Sequence, residues 1–283
     1  MGFIKSAFAD EYSPSLDGQT QGLKICNIGL MEPRGINGKN ISLLTEKEAY
    51  ELADKLNSAG IGISAIGSPL GKAALDDIEE HIRVAENTVR TAVILNCKRI
   101  RGFSFFTQPE NREKVRDRVY SSLDRLVEMC AARGILFCHE NEKGIYGCDT
   151  EACIELLDKF KGGMGCVFDP ANFIQCGCDA KEAFDALYDR ITYMHIKDAL
   201  PDGTVCAAGE GTGQIPYMLN RFANDGKNVI LTLEPHLKVF EGLKELENGT
   251  RPKIQNTFSS SHDAFVYAAE RLDAILNGIK LKG

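Results

Sequence analysis

Short apolar runs rich in β-branched and aromatic residues alternate along this chain with longer stretches whose apolar positions recur at helical spacing. The clearest helix is predicted from Thr45. Thr45 and Glu48 form a capping box, Ala49, Leu52, Ala53 and Leu56 share one face, and Gly60 follows as a stop. Eight strands are predicted, near Phe3–Phe8, Asn27–Glu32, Gly62–Ile66, Arg99–Phe103, Ile135–His139, Cys166–Phe168, Ile191–Ile196 and Val229–Leu233. Helices are predicted between them. One lies near Ser15–Lys24, one carries Ile78, Ile82, Ala85 and Val89 on a face, and another buries Val119, Leu123, Leu126 and Cys130. Further helices fall near Thr150–Phe160, Ala180–Tyr188, Ile215–Ala223 and His262–Asn277, the last turning Phe265, Ala269, Leu272 and Leu276 inward.

Strands alternating with helices imply a parallel sheet with helical crossovers. Eight such units, with no Pro- or Ser-rich linker dividing them, predict an α/β chain folded as a single (β/α)8 barrel over residues 1–283. A doubly wound open sheet is the alternative. Two connections are long, Met31–Leu44 and Pro235–Thr257. Loops that follow barrel strands ring the active site, so both are expected to serve function.

Composition narrows the class. A hydrophobic fraction of 43% and a charged fraction of 26% are those of a soluble globular protein. No apolar run reaches the ~18 residues of a membrane span. Residues Met1–Tyr12, with Asp10 and Glu11, lack the pattern of an export signal, so a cytoplasmic location without membrane partners is expected. A net charge of −7 argues against nucleic acid as partner, because phosphate binding needs a basic surface. Ten cysteines in such a chain read as reduced thiols, and the Cys176/Cys178 pair, with no second pair at zinc-finger spacing, reads as structural.

The candidate chemistry sits where strands end. Glu140 follows the fifth strand, Asp169 the sixth, His195 lies at the end of the seventh, and Glu234 follows the eighth. A parallel barrel places all four ends on one face, and consecutive strands are neighbours, so these side chains can converge. Three carboxylates and an imidazole make a hard, oxygen-rich ligand set. It suits one divalent ion, Mn²⁺ first, with Mg²⁺, Zn²⁺ or Co²⁺ as alternatives. Such an ion polarises a carbonyl and acidifies the adjacent C–H, and Glu140 and Glu234 can then serve as the catalytic pair that removes and returns the proton.

The strings HENEKG, FDPANF, YMHIKD and LEPH, with a Gly-rich AGEGTG between the last two, resemble the xylose isomerase-like barrel superfamily of sugar phosphate isomerases and epimerases. The resemblance spans nearly the whole chain and is strongest in its second half. It implies a Glu-Asp-His-Glu metal site on Glu140, Asp169, His195 and Glu234, with the two glutamates as acid and base. It further implies a small sugar substrate and a homodimer or homotetramer. Two positions depart from the ketose 3-epimerases of this group. Asn172 stands where many have a histidine, and Pro201 stands where they have an arginine, Lys197 being the nearest cation. The DNA-repair endonucleases of the group use extra histidines, whereas this chain has five in all.

The expected activity is therefore a metal-dependent isomerisation or epimerisation of a keto-sugar, sugar phosphate or polyol through an enediolate. A lyase or dehydratase on the same residues is the nearest alternative. A non-catalytic sugar-binding protein and a phosphodiester-cleaving endonuclease are alternatives of other classes. Arg34, Lys72, Asn172, Lys197 and His236 are the candidate substrate-binding residues, and Lys39 is a further candidate donor. His139 is expected to point away from the site, Glu142 to be a solvated loop carboxylate, and Gly209, Gly211 and Gly213 to form a flexible loop. Lys197 and Asp198 could also pair on the surface.

Overall fold

A computed structural model of the chain describes residues 2–239, 253–256 and 258–279. Nine parallel strands form one sheet, numbered here in chain order: β1 (Phe3–Ala7), β2 (Leu30–Met31), β3 (Gly62–Ile63), β4 (Ile66–Gly67), β5 (Arg99–Gly102), β6 (Leu136–Glu140), β7 (Met164–Phe168), β8 (Ile191–Ile196) and β9 (Val229–Leu233). Their spatial order is β3-β2-β1-β9-β8-β7-β6-β5-β4. The sheet's two ends, β3 and β4, are halves of the third predicted strand, so it curls into a nearly closed (β/α)8 barrel. Ser64 and Ala65 separate the halves. Ser64 still donates its N–H to the Met31 carbonyl at 2.9 Å, its hydroxyl lies 2.7 Å from that of Ser6, and its carbonyl accepts from Arg99 Nη1 at 3.0 Å in place of a strand partner.

Among the described residues the helices are α1 (Leu16–Ile25), α2 (Glu46–Ala59), α3 (Ile78–Ile94), α4 (Arg112–Ala131), α5 (Thr150–Lys159), α6 (Pro170–Gln175), α7 (Ala180–Leu187), α8 (Ile215–Asn224) and α9 (Ser261–Asn277). Side-chain caps start several of them. Ser15, Thr45, Asp149, Asp179 and Ser260 each accept a first-turn backbone N–H, and the Thr45/Glu48 capping box is complete. Gly60 ends α2 at φ 70°, a left-handed conformation in which glycine carries no Cβ penalty. The short α6 was not foreseen, because its cap is Asp169 itself and Pro170 occupies its first position.

Strand alternation divides the core in two. Phe137, Phe168, Met194, Ile196, Leu231 and Leu233 face outward into the main core between barrel and helices. Ala65, Cys138, Val167 and Tyr193, with Leu136 and Ile230 packed against them, form a separate apolar plug inside the barrel. Met31–Leu44 folds as a small hairpin, Gly35–Ile36 against Lys39–Asn40, followed by a 3-10 turn. Most of the second long connection, residues 240–252 and 257, lies outside the described residues. Among the described residues no helix is long and apolar enough to cross a membrane.

Candidate metal centre

The period of two that builds the plug also builds the site. On β8 the inward series is Tyr193, His195, Lys197; on β6 it is Leu136, Cys138, Glu140; on β7 it continues from Val167 to Asp169; on β9 it is Ile230, Thr232, Glu234. Each series starts apolar at the plug and ends charged at the C-terminal mouth. One ligand atom from each of Glu140, Asp169, His195 and Glu234 lies within 4.8 Å of all the others, and all four residues are buried.

His195 is the hub. Its Nδ1 is 2.9 Å from Glu140 Oε1 and 3.1 Å from Glu234 Oε2, and its Nε2 is 3.4 Å from Glu32 Oε1. Glu32, fully buried, also accepts from Tyr193 OH at 2.9 Å and Thr232 Oγ1 at 2.8 Å. The remaining oxygen of each catalytic candidate faces a buried arginine: Glu234 Oε1 accepts from Arg34 Nη1 at 2.8 Å, and Glu140 Oε2 lies 3.1 Å from Arg101 Nε. Both guanidinium groups lie over the Phe8 ring, at 4.2 and 5.5 Å from its centroid, and Phe8 meets the His195 ring edge-on at 5.1 Å.

Asp169 is fixed by its backbone. Asn141 braces it with two hydrogen bonds of 2.9 Å, and Asp169 Oδ1 caps α6 through the Asn172 N–H at 2.9 Å. Its other oxygen, Oδ2, is buried and has no hydrogen bond; Lys197 Nζ is 2.9 Å away but outside hydrogen-bonding geometry. Burial pushes the Asp169 carboxyl up to about 6, although Lys197 pulls it down. Burial would also raise Glu234, but Lys197, His195 and His236 outweigh it and hold that carboxyl well below the usual range. An orphaned carboxylate oxygen beside two glutamates and an imidazole nitrogen fits a hard divalent cation.

The sequence profile of the xylose isomerase-like TIM barrel family matches residues 30–252. The chain belongs to that family. No curated protein sequence matches it. Among solved structures, it is similar to the IolI protein with a bound zinc atom, at 14% identity and TM-score 0.74, covering 98% of this chain and 99% of that one. It is also similar to the probable 3-DHS dehydratase AsbF of Bacillus anthracis, at 13% identity and TM-score 0.73, covering 96% and 99%. A D-allulose 3-epimerase from Methylomonas sp. matches at 14% identity and TM-score 0.72, covering 96% and 98%. At these identities the likeness is one of fold.

Within this xylose isomerase-like barrel the candidate substrate residues divide. Lys197 Nζ enters the centre, 3.5 Å from Glu234 Oε2. Asn172 Nδ2 reaches Glu140 Oε1 at 3.4 Å and the Asn141 carbonyl at 2.9 Å. His236 lies 3.4 Å from Glu234 Oε1 and 3.5 Å from Glu11 Oε1. Arg34 is tied to Glu234 and, through Nε and Nη2, to Asp10 at 3.0 Å each. Lys72 pairs with Glu142 at 3.0 Å. Lys39 pairs with Glu48 at 2.7 Å, at the start of α2.

Several loop expectations differ from what is observed. Glu142 is largely buried, and the positive charge of Lys72, Lys197 and Lys143 outweighs its burial and lowers its pKa. Lys197 and Asp198 are both buried and point apart, as alternation requires. Asp198 accepts backbone N–H groups from Ala199 and Gly213 at 2.8 Å, Gly209 at 2.9 Å and Gly211 at 3.2 Å. The Gly-rich segment thus wraps a carboxylate of its own chain, and a Cβ on Gly213 would stand 2.6 Å from Asp198 Oδ1. His139 points away from the centre and bonds Ser104 Oγ at 3.0 Å. Sequence reasoning did not single out Arg101, Asn141 or the role of Glu32. The signal for Arg101 was available, since Arg99 and Arg101 alternate in a barrel strand and so share its inner face.

Proposed function

We propose that this chain is a divalent-metal-dependent isomerase or epimerase that acts on a small keto-sugar, sugar phosphate or polyol by proton transfer through an enediolate. The observation that carries the reading is that Glu140 and Glu234 each present one oxygen to the same point, 2.9 and 3.1 Å from His195 Nδ1. Glu140, Asp169, His195 and Glu234 would hold the ion, with Mn²⁺ proposed first on the hardness of the donors. When bound, the ion polarises a substrate carbonyl and acidifies the neighbouring C–H.

The protein's own groups do the rest. Glu234, held ionised by its cationic neighbours, accepts the proton from carbon. Glu140 returns a proton at the same or the adjacent carbon. The apolar plug beneath and the Phe8 ring beside the centre keep water away from the carbanionic intermediate. The zinc-bearing and epimerase relatives in fold support this reading.

A dehydratase is the second reading. Asn172 and Pro201 depart from the ketose 3-epimerase pattern, and one structural relative is described as a dehydratase. The same carbanion expels a leaving group at the β-carbon when one is present. A panel of keto-sugars incubated in D₂O with Mn²⁺ separates the two. Deuterium uptake without mass loss supports the isomerase, and loss of water supports the dehydratase. The E140Q and E234Q variants should each slow exchange by about 10²–10⁴-fold; exchange at wild-type rate in both would contradict the proposed roles.

A further inference from the structure

We propose that Arg101 donates to the substrate oxygen that gains negative charge as the C–H proton leaves. This rests on the enediolate reading above and names the group that would stabilise that intermediate.

A buried guanidinium requires partners, because its lost hydration is costly. The two arginines beside Phe8 differ in this respect. Arg34 has its donors committed to Asp10 and Glu234. The only hydrogen bond that the Arg101 guanidinium makes among the described residues runs from Nη1 to the Ser68 carbonyl, at 2.8 Å. Its Nε is buried without a hydrogen bond, because Glu140 Oε2, at 3.1 Å, lies outside hydrogen-bonding geometry. The rings of Phe103 and Phe8, with centroids 4.6 and 5.5 Å from Cζ, flank the group. They hold its plane and leave its in-plane N–H groups to recognise an oxyanion.

The step balances. A carboxylate takes the proton from carbon, the C–H electron pair becomes the C=C bond of the enediolate, and the carbonyl oxygen takes the negative charge. Arg101 donates a hydrogen bond to that oxygen and keeps its own proton throughout. Protonation of carbon reverses the flow and restores the carbonyl. An oxyanion donor of this kind acts most strongly in the transition state.

The test is calorimetric titration of the Mn²⁺-loaded protein with two probes. Glycolohydroxamate is a planar anion resembling an enediolate, and hydroxyacetone is a neutral ketone of similar size. The wild type should prefer the hydroxamate by on the order of 100-fold. R101Q should cut that preference at least about tenfold and R101K should restore part of it, while Mn²⁺ affinity in both stays within about threefold of wild type. A preference unchanged in R101Q, or absent from the wild type, overturns the assignment. So does a fall in Mn²⁺ affinity that parallels the fall in preference, since that result would make Arg101 a support for Glu140 alone. Failure of the wild type to bind Mn²⁺ at all would instead overturn the metal reading on which this rests.

Discussion

Glu32 lies beneath His195, its Oε1 3.4 Å from Nε2, while the Tyr193 hydroxyl and Thr232 fix both of its oxygens from the plug side. A carboxylate behind a ligating histidine sets the ring's orientation and raises its basicity. E32Q should therefore weaken Mn²⁺ binding by about 10–100-fold, as measured by calorimetry, with the fold retained. Unchanged affinity would mean that the plug alone orients the ring.

The same imidazole faces carboxylates through both nitrogens. Burial would lower its pKa, but Glu140, Glu32 and Glu234 outweigh burial and raise it well above its usual value. The metal-free ring is then an imidazolium, and a cation at Nδ1 must displace that proton. Titration with Mn²⁺ at neutral pH, in two buffers of different ionisation enthalpy, should give heats that differ by the proton released. Equal heats would contradict a protonated His195.

Asp198 organises the loop between β8 and α8 from within. Four backbone N–H groups converge on its carboxylate, and each would cost about 1–3 kcal/mol if left buried without an acceptor. D198A is expected to lower the melting temperature and to open residues 207–213 to limited proteolysis. G213A should act in the same direction, because the added methyl group meets the same carboxylate. A variant as protease-resistant as the wild type would show that the segment is held by other contacts.

His81 gives a pH dependence with a defined sign. Burial lowers its pKa, and its Nε2 accepts the Gly71 N–H at 2.6 Å, which requires that nitrogen to be unprotonated. The unfolded chain takes up the proton near pH 6.5 and the folded chain only below it. The stability due to this group is thus complete above pH 6.5 and is lost as pH falls toward the folded value, by at most about 1.4 kcal/mol per pH unit. Urea denaturation of H81Q from pH 7 to 5 should show a shallower slope than wild type. Parallel slopes would place the acid sensitivity elsewhere.

The barrel was legible because period and capping agreed along the chain. The seventh and eighth strands are observed at their predicted bounds, and Thr45 through Gly60 behaves as its capping box and stop require. The third strand was blurred, because the break at Ser64 answers to Ser6 and Arg99, contacts made across the barrel. The four candidate ligands were legible as polar residues ending apolar strands. What surrounds them was not. Glu32 entered only as the end of the second predicted strand, and although the Arg99/Arg101 alternation marks an inward charge, only barrel closure brings Glu32 under His195 and Arg101 beside Glu140. The fate of Asp198 depended on a loop eleven to fifteen residues further on, a separation at which no local pattern operates.

The measurement that bears most directly on the centre is Mn²⁺ titration of the wild-type protein beside E140A, D169A, H195A and E234A, with metal content read by elemental analysis after dialysis. The account predicts one ion per wild-type chain, a rise in melting temperature on loading, and loss or at least about tenfold weakening of binding in every variant. A folded wild-type protein that takes up no divalent ion, and whose melting temperature is indifferent to Mn²⁺, Mg²⁺, Zn²⁺ and Co²⁺, would contradict it.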